Sequence, residues 1–517
     1  MPSLPSNPIL TGMHPDPTIC RVGNKFYLAT SSFGQFPGVP LYESENLQEW
    51  KFLRHILSRP SQLPFQHAQN FITGGIFAPT IRHDGKRFYL ITTNIDNGGH
   101  FIVTTENPAD EWSEPIWIDP IHQGGIDPSL TFLKDGRTLF QATAAAELGE
   151  EPGLIQFEID PLSGKGLTER KNISSGFGGK AVEGPHIFFR GEFWYLLAAE
   201  GGTESNHRVT IGRSASPWGP FTACPDNPIF THAGIESPIQ NTGHADMVSD
   251  QAGNWWMVFL GVRTIGYPPV HICGRETFIA PVKWENDWPV VNHAAPVSES
   301  TLAQRGGSDL DWMDDFSSTQ LGHRWVTIAS TYQKATEIAP GVGFILKALS
   351  TSLSASGPIG FLGTRLTERS IRCSLTISSV SINSEGGICV YMNKDGYYSL
   401  GIRRSNDQSF VRFTKRILDM VTVVETPIEL SENYHFQVVL TAEGDPWSAD
   451  SSSFIFNVAT EDGVFTEIGR GISRLLSTEV IGGFSGLLIG PYCLSAQKNA
   501  SMTLKHFAYM NTQPQET

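Results

Sequence analysis

Short apolar runs separated by Pro, Gly, Asp and Asn turns fill the first roughly 300 residues, and they recur as one phrase. Asp16-Pro17 precedes Phe26-Tyr27-Leu28, and Ala78-Pro79 precedes Phe88-Tyr89-Leu90. Asp127-Pro128 precedes Leu139-Phe140, Glu183-Gly184-Pro185 precedes Phe193-Trp194-Tyr195, and His244-Ala245-Asp246 precedes Trp255-Trp256-Met257. Each head residue stands roughly a dozen positions before its aromatic strand, and the copies follow at intervals of about 50–60 residues, the period of a blade-like repeat. Turn glycines (Gly23, Gly85, Gly136, Gly191, Gly253) sit between the apolar and the aromatic strand of each copy. Five such copies predict a five-bladed β-propeller over residues 1–297. Equivalent positions of successive blades converge on one axis, so Asp16, Ala78, Asp127, Glu183 and His244 are expected around a single pocket.

The second half of the chain has another pattern. Ile371 to Ile377 and Tyr434 to Leu440 alternate apolar and polar residues with a period of two, as half-buried strands do. No acidic head phrase recurs there. The expected fold is all-β throughout, with a lectin-like β-sandwich over 314–512. A polar linker over 298–313, centred on Gly306-Gly307-Ser308, joins the two units. The sandwich reads first as a buttress, with one of its loops a candidate to reach the pocket.

Composition supports this division. The length of 517 residues exceeds a single core, while 51 Gly, 33 Pro and only 17% charged residues suit a turn-rich β protein. A formal net charge of -15 with no Lys/Arg run excludes a nucleic-acid surface and favours an uncharged substrate. No apolar run reaches the about 20 residues of a membrane span. The six cysteines are dispersed without metal-like spacing, as buried thiols are; Cys373 and Cys389 are the pair most able to approach one another. The Met1–Pro5 stretch lacks a signal peptide's features, which predicts a cytoplasmic protein. A processed secreted form would look the same, and sequons begin at Asn172 and Asn499. A homo-oligomer is compatible with the sequence.

Three carboxylates registered around one axis fit the cleavage of a glycosidic bond. That reaction needs a carboxylic acid at the leaving oxygen and a carboxylate across the sugar ring. Asp16, held between Pro15 and Pro17, suits a general base of fixed geometry. Glu183, with a longer reach and a glycine beside it, suits the general acid, and Asp127 suits a tuning role. A lone Asp-Pro is usually only a turn, but acidic residues occupy the same place in three of the five copies. His244 reads equally as a hydrogen-bonded core histidine or as a functional group. Phe33, Phe36 and Phe77 are candidates for stacking on a sugar face, in a chain whose 31 phenylalanines are mostly explained by packing.

His14-Pro15-Asp16-Pro17, Gly125-Ile126-Asp127-Pro128, Val182-Glu183-Gly184-Pro185, Thr242-Gly243-His244-Ala245-Asp246 and Gly274-Arg275-Glu276 together resemble glycoside hydrolase family 43. So does Phe36-Pro37-Gly38-Val39-Pro40. The likeness is to its two-domain β-xylosidases and α-L-arabinofuranosidases and spans nearly the whole chain. It implies an inverting mechanism with Asp16 as general base, Asp127 as pKa modulator and orienter, and Glu183 as general acid. It further implies that Arg275 contacts sugar hydroxyls and that Phe33 walls the subsite of the non-reducing end. A competing role for Arg275 is a buried partner of Glu276 or Asp127. The resemblance requires no cofactor; it places the equivalent of His244 near a water or a structural calcium ion in the channel. Calcium prefers oxygen ligands, so His244 would orient a coordinating water rather than bind the ion, and no metal ligand is assigned. Xylosidase relatives typically carry Trp-Ala-Pro where this chain has Phe77-Ala78-Pro79, which reshapes the pocket wall.

The expected activity is removal of a terminal β-D-xylosyl residue from xylo-oligosaccharides. An α-L-arabinofuranosidase or bifunctional enzyme acting on arabino-oligosaccharides is the alternative. A sugar-binding propeller that has lost catalysis is the competing class, and all three carboxylates being present counts against it. An endo-arabinanase is disfavoured by the long second domain.

Overall fold

The computed structural model describes residues 5–64, 74–146, 149–306, 310–339, 343–406, 408–442, 448, 450–460 and 463–512. The Met1–Leu4 start and the Gly307-Ser308 part of the expected linker centre lie outside the described residues. No helix among the described residues is long and apolar enough to cross a membrane.

Five antiparallel sheets follow one another in chain order. Their innermost strands are Thr18–Val22, Thr80–His83, Ser129–Phe132, Glu183–Arg190 and Ile239–Ser249, which begin blades I to V. The second strand of each blade carries the recurring aromatic phrase, and these rings pack one blade onto the next. Tyr27 of blade I meets Phe88 of blade II, and Tyr89 of blade II meets Phe132 of blade III, each with ring centroids 5.0 Å apart. Phe188 of blade IV lies 5.4 Å from Trp255 of blade V. The aromatic repeat is therefore the glue between wedge-shaped sheets, worth more than its area alone because edge and face of the rings attract. Lys283 to Val290 forms the end of blade V, with Trp288–Val291 as its outer strand.

The ring is closed by the residues before blade I. Ile9 N–H donates to the Thr277 carbonyl at 2.9 Å, and His14 N–H donates to the Arg275 carbonyl at 2.9 Å. The Asn7 side chain exchanges two hydrogen bonds with the backbone of Ile279. Deeper on the axis, Asp246 of blade V takes two hydrogen bonds from Arg82 of blade II at 2.8 and 3.1 Å. The same carboxylate accepts from the Thr18 hydroxyl and the Ile19 N–H of blade I. Arg82 also meets His186 Nδ1 of blade IV at 3.0 Å, so one buried cluster pins four blades.

The second unit is a sandwich of two antiparallel sheets. Its strands show the alternation read from the sequence: in Ile371–Ile377 and Tyr434–Leu440 every apolar position of odd register is buried between the sheets. Cys373 and Cys389 fall on strands of opposite sheets, and all six cysteines are free, buried thiols. Trp312–Asp314 pairs with the strand Ser501–Asn511, and Thr327–Ile328 pairs with Gln35–Phe36 of the propeller. Phe36 is thereby drawn away from the pocket; it is buried against Tyr332 with centroids 5.5 Å apart and does not face a sugar.

A buried ion network joins the two units. Arg263, 1% exposed, holds Glu276 at 2.6 and 2.8 Å and also donates to Glu368 of the sandwich and to Glu299, each at 2.9 Å. Glu276 in turn accepts the Gly12 N–H at 2.7 Å. Removing one member of a buried ion cluster leaves its partners charged and unpaired. Arg263→Met is therefore expected to lower the unfolding free energy by about 3–5 kcal/mol, read by denaturant titration. A loss below about 1 kcal/mol, the range of surface pairs, would show that this network does not hold the seam.

Candidate active site

The heads of all five blades meet as the repeat predicts. Asp16, Ala78, Asp127, Glu183 and His244 line one cavity of about 160 Å3 together with Phe33, Phe77, Ile126, Thr203, Arg275 and Phe484. The backbone at these heads is unusual. Asp16 (φ 55°), Asp127 (φ 57°) and His244 (φ 48°) all adopt the left-handed conformation that side-chain-bearing residues avoid. Such strain persists only where the surroundings over-determine it, which marks the blade ends as built for position. In blade IV the strain falls one residue later, on Gly184 (φ 59°). A Cβ there would stand 3.1 Å from the His244 ring. The glycine beside Glu183 thus serves close packing against His244, where the sequence had suggested freedom for a swinging acid.

Arg275 is the cation of the cavity. It pairs with Asp16 at 2.9 Å, donates to the Thr203 hydroxyl at 3.1 Å, and donates through Nε to the Phe484 carbonyl at 2.9 Å. Its partner is therefore Asp16 and not Glu276 or Asp127. Arg275 and Glu276 are neighbours in an extended chain and point to opposite sides, so Glu276 goes to Arg263 instead. The wall is a triangle of phenylalanines: Phe33 lies 5.3 Å from Phe77 and 5.4 Å from Phe484, and Phe77 lies 5.9 Å from Phe484.

Phe484 and Thr203 escaped the sequence reading. Thr203 sits on the loop after the second strand of blade IV, outside any repeated phrase. Phe484 belongs to the sandwich and arrives on a loop that crosses the propeller at two glycines. A Cβ on Gly274 would come within 2.7 Å of Gly486 Cα, so the two backbones touch. Gly274 (φ 84°) was inside a quoted motif, but only the partner loop reveals why it must be glycine.

The electrostatics separate the three carboxyls. Burial pushes the Asp16 carboxyl up, but Arg275, His244, the Ser31 hydroxyl and His207 together outweigh it and hold the group below its ordinary value. Ser31 donates to one Asp16 oxygen while Arg275 takes the other. Glu183 has no such cation of its own. Burial and then the charge of Asp16 raise it to about 7. Asp127 is raised as well, by burial and by the charge of Glu183. Burial and neighbouring charge raise both Asp127 and Glu183, so their titration belongs to the pair, while Asp16 is held low. Burial keeps His244 below its ordinary value, and the ring stands 3.8 Å from Asp16. It lies in the cavity wall.

The oxygen shell that calcium prefers is lacking beside His244. Asp16 is committed to Arg275 and Ser31, and both Asp246 oxygens are committed to Arg82 and to backbone or hydroxyl donors. No group of three or more His, Cys, Asp and Glu among the described residues is placed to hold a metal ion. These residues do not fit a directly bound calcium ion.

An ionised carboxylate and a protonated carboxyl on different blades, facing one small cavity with a single arginine, are the parts of a glycoside hydrolase. The model of glycosyl hydrolases family 43 matches residues 5–289, and that of the β-xylosidase C-terminal concanavalin A-like domain matches residues 313–511. The chain belongs to glycosyl hydrolases family 43. It is 36% identical to a non-reducing end α-L-arabinofuranosidase, BoGH43B, of Bacteroides ovatus, covering 94% of this chain and 90% of that one. It is 37% identical to a xylosidase/arabinosidase of Butyrivibrio fibrisolvens, covering 78% of this chain and 80% of the other. The solved xylan β-1,4-xylosidase of Bacillus halodurans superposes with a TM-score of 0.87 at 26% identity, over 98% of this chain and all of that one.

A base held low and an acid held at about 7 imply a definite pH profile. The acid must be protonated, so kcat/KM falls as pH rises through about 7; the base must be ionised, so it falls again below the usual carboxylate range. Asp127→Asn tests the modulator role: if Asp127 carries charge beside Glu183, Glu183 ionises more easily without it and the alkaline limb moves down. A lower rate with an unmoved limb would mean that Asp127 only positions the acid.

Proposed function

We propose that this protein is an exo-acting, inverting hydrolase that removes one terminal β-D-xylosyl residue from xylo-oligosaccharides. The observation that carries the reading is the small cavity of about 160 Å3 with three carboxyls and one arginine in its walls. That space is enclosed by the heads of all five blades and by Phe484, which suits a single sugar ring. A cleft for internal cleavage would have to hold several rings. The aromatic triangle, with Phe484 supplied by the second domain, narrows the same space.

In this reading Asp16 accepts a proton from a water as the water's oxygen attacks the anomeric carbon. Glu183 gives its proton to the glycosidic oxygen as the carbon–oxygen bond breaks. Burial and the charge of Asp16 keep that proton on Glu183 up to neutral pH, Asp127 orients the acid, and Arg275 fixes Asp16 while meeting sugar hydroxyls. The sugar leaves with inverted configuration and the remaining chain leaves as an alcohol. Asp16 and Glu183 come from blades I and IV, which suits the wide spacing of about 6.5–9.5 Å that an intervening water requires.

A second reading, α-L-arabinofuranosidase or bifunctional activity, is favoured by the relative of that name covering 94% of the chain and by the smaller ring at Phe77. Parallel rates on aryl β-D-xyloside and aryl α-L-arabinofuranoside decide between the two. No release of sugar from either would leave a binding protein.

Glu183→Gln is expected to cost roughly 10²–10⁴-fold on pentose disaccharides, the worth of general-acid help. Aryl glycosides with good leaving groups need little protonation and are expected to lose far less. Equal losses on both substrate types would remove Glu183 from the acid role. The stereochemistry is tested separately by proton NMR of the anomeric signals in the first minutes of hydrolysis. α-Xylose is expected first from a β-xyloside, and first appearance of β-xylose would reject Asp16 as the base of an inverting reaction.

A further inference from the structure

A cavity of about 250 Å3 between blade I and the sandwich shares no lining residue with the catalytic cavity. Its propeller side includes Tyr42, Phe52 and His55, on the strands Gly38–Ser44 and Lys51–Leu57 of blade I. Its sandwich side carries Arg324 and Arg365, the latter on the short strand Thr364–Arg365. Phe52 and His323 stack across the seam with ring centroids 4.3 Å apart, so the two walls are packed onto one another.

Two guanidiniums line this space and no carboxylate balances them. No Asp or Glu among the described residues lines it, in a chain where Asp and Glu number 52 against 37 Lys and Arg. The acids next to the lining in sequence are engaged elsewhere: Glu368 holds Arg263 and Arg305, and Asp311 takes two hydrogen bonds from Asn511. Arg365 is only 7% exposed, yet it donates to a neutral amide oxygen, Gln35 Oε1 at 2.7 Å, and its Nε has no partner. Arg324, half-buried, donates to the Leu310 carbonyl at 3.2 Å and lies over the Trp312 ring, and both of these are neutral too. His55, as buried as Arg365, leaves its Nε2 without a partner. The other polar groups are spent on one another. His14 Nδ1 donates to the Thr11 carbonyl at 2.9 Å, and its Nε2 accepts from the Tyr42 hydroxyl at 2.8 Å.

A guanidinium does not shed its proton to escape burial, so a buried one calls for a counter-charge. Its planar fork of donors matches the oxygens of a carboxylate or a phosphate. We propose that this cavity binds a small oxyanion between Arg324 and Arg365, and that the bound anion ties the sandwich to blade I. The shared chemistry is a carboxylate or phosphate group, free or carried by a sugar. The site is independent of the hydrolase reading, which calls for an uncharged substrate in a different cavity.

The test titrates the full-length protein by calorimetry with sodium phosphate and with sodium glucuronate, sodium chloride holding the ionic strength constant. Saturable binding to one site is expected, with a Tm that rises with anion concentration because the anion binds only the folded state. Binding of phosphate alone identifies a free tetrahedral anion and binding of glucuronate alone a sugar acid; either supports the site. A lost hydrogen bond to a charged group is worth about ten- to hundredfold. Arg324→Gln is therefore expected to weaken binding by that factor and to flatten the response of Tm to the anion. Crystals of the parent grown with the bound anion are expected to hold it between Arg324 and Arg365, which tests the site without any variant. No saturable binding of either anion, equal affinity in Arg324→Gln, or an anion seated elsewhere, on Arg275 for example, would overturn the assignment.

Discussion

The buried pairing of Arg263 with Glu276 is the constraint on which the site depends. A propeller of five sheets has one weak place, where the last blade must meet the first. Here the strand that ends the circuit begins at Glu276, whose carboxylate binds the Gly12 N–H on one side and Arg263 on the other. Arg263 then reaches Glu368 in the sandwich. Ring closure and domain docking are thus a single electrostatic event, shielded from salt by complete burial. Extended chain sends successive side chains to opposite sides, so fixing Glu276 in the seam fixes Arg275 in the cavity. The arginine that holds Asp16 is placed by the residue after it.

Distribution of one cation among three acids then sets the chemistry. Arg275 contacts Asp16 alone, and Ser31 takes the second Asp16 oxygen, so Asp16 stays ionised despite burial. Burial raises both Asp127 and Glu183, helped by the charge of Glu183 on Asp127 and of Asp16 on Glu183. Asp16 and Glu183 are therefore separated in pKa by the position of a guanidinium, with no metal ligand set beside them among the described residues. Deeper on the axis, Asp246 is neutralised by Arg82 and lowered to about 2. That second pair holds the blades together without adding an unpaired charge beneath the cavity.

Much of this was readable in the chain because a repeat converts sequence position into space. Asp16, Asp127 and Glu183 could be placed around one axis from their distance to an aromatic strand alone, and the period-two pattern of Ile371–Ile377 revealed a sandwich strand. What escaped reading depends on contacts between distant segments. Phe36 looked like a ligand aromatic until Thr327–Ile328 of the sandwich paired with it. Arg275 had plausible acidic partners in sequence, but its true one, Asp16, lies across the ring closure. Gly184 and Gly274 look alike as turn residues. One makes room for a histidine of the next blade and the other for a backbone of the next domain. No local pattern carries that information.

The role of the second domain follows from where its loop ends. A buttress could pack anywhere on the propeller's side, yet the backbone crossing at Gly274 and Gly486 delivers Phe484 to the edge of the cavity. Its carbonyl completes the hydrogen bonding of Arg275, and its ring completes the triangle with Phe33 and Phe77. The same residue borders a second, larger cavity at the seam. Phe484 thus stands between the two cavities. The three carboxyls of the cavity come from the propeller alone; its phenylalanine wall needs both domains.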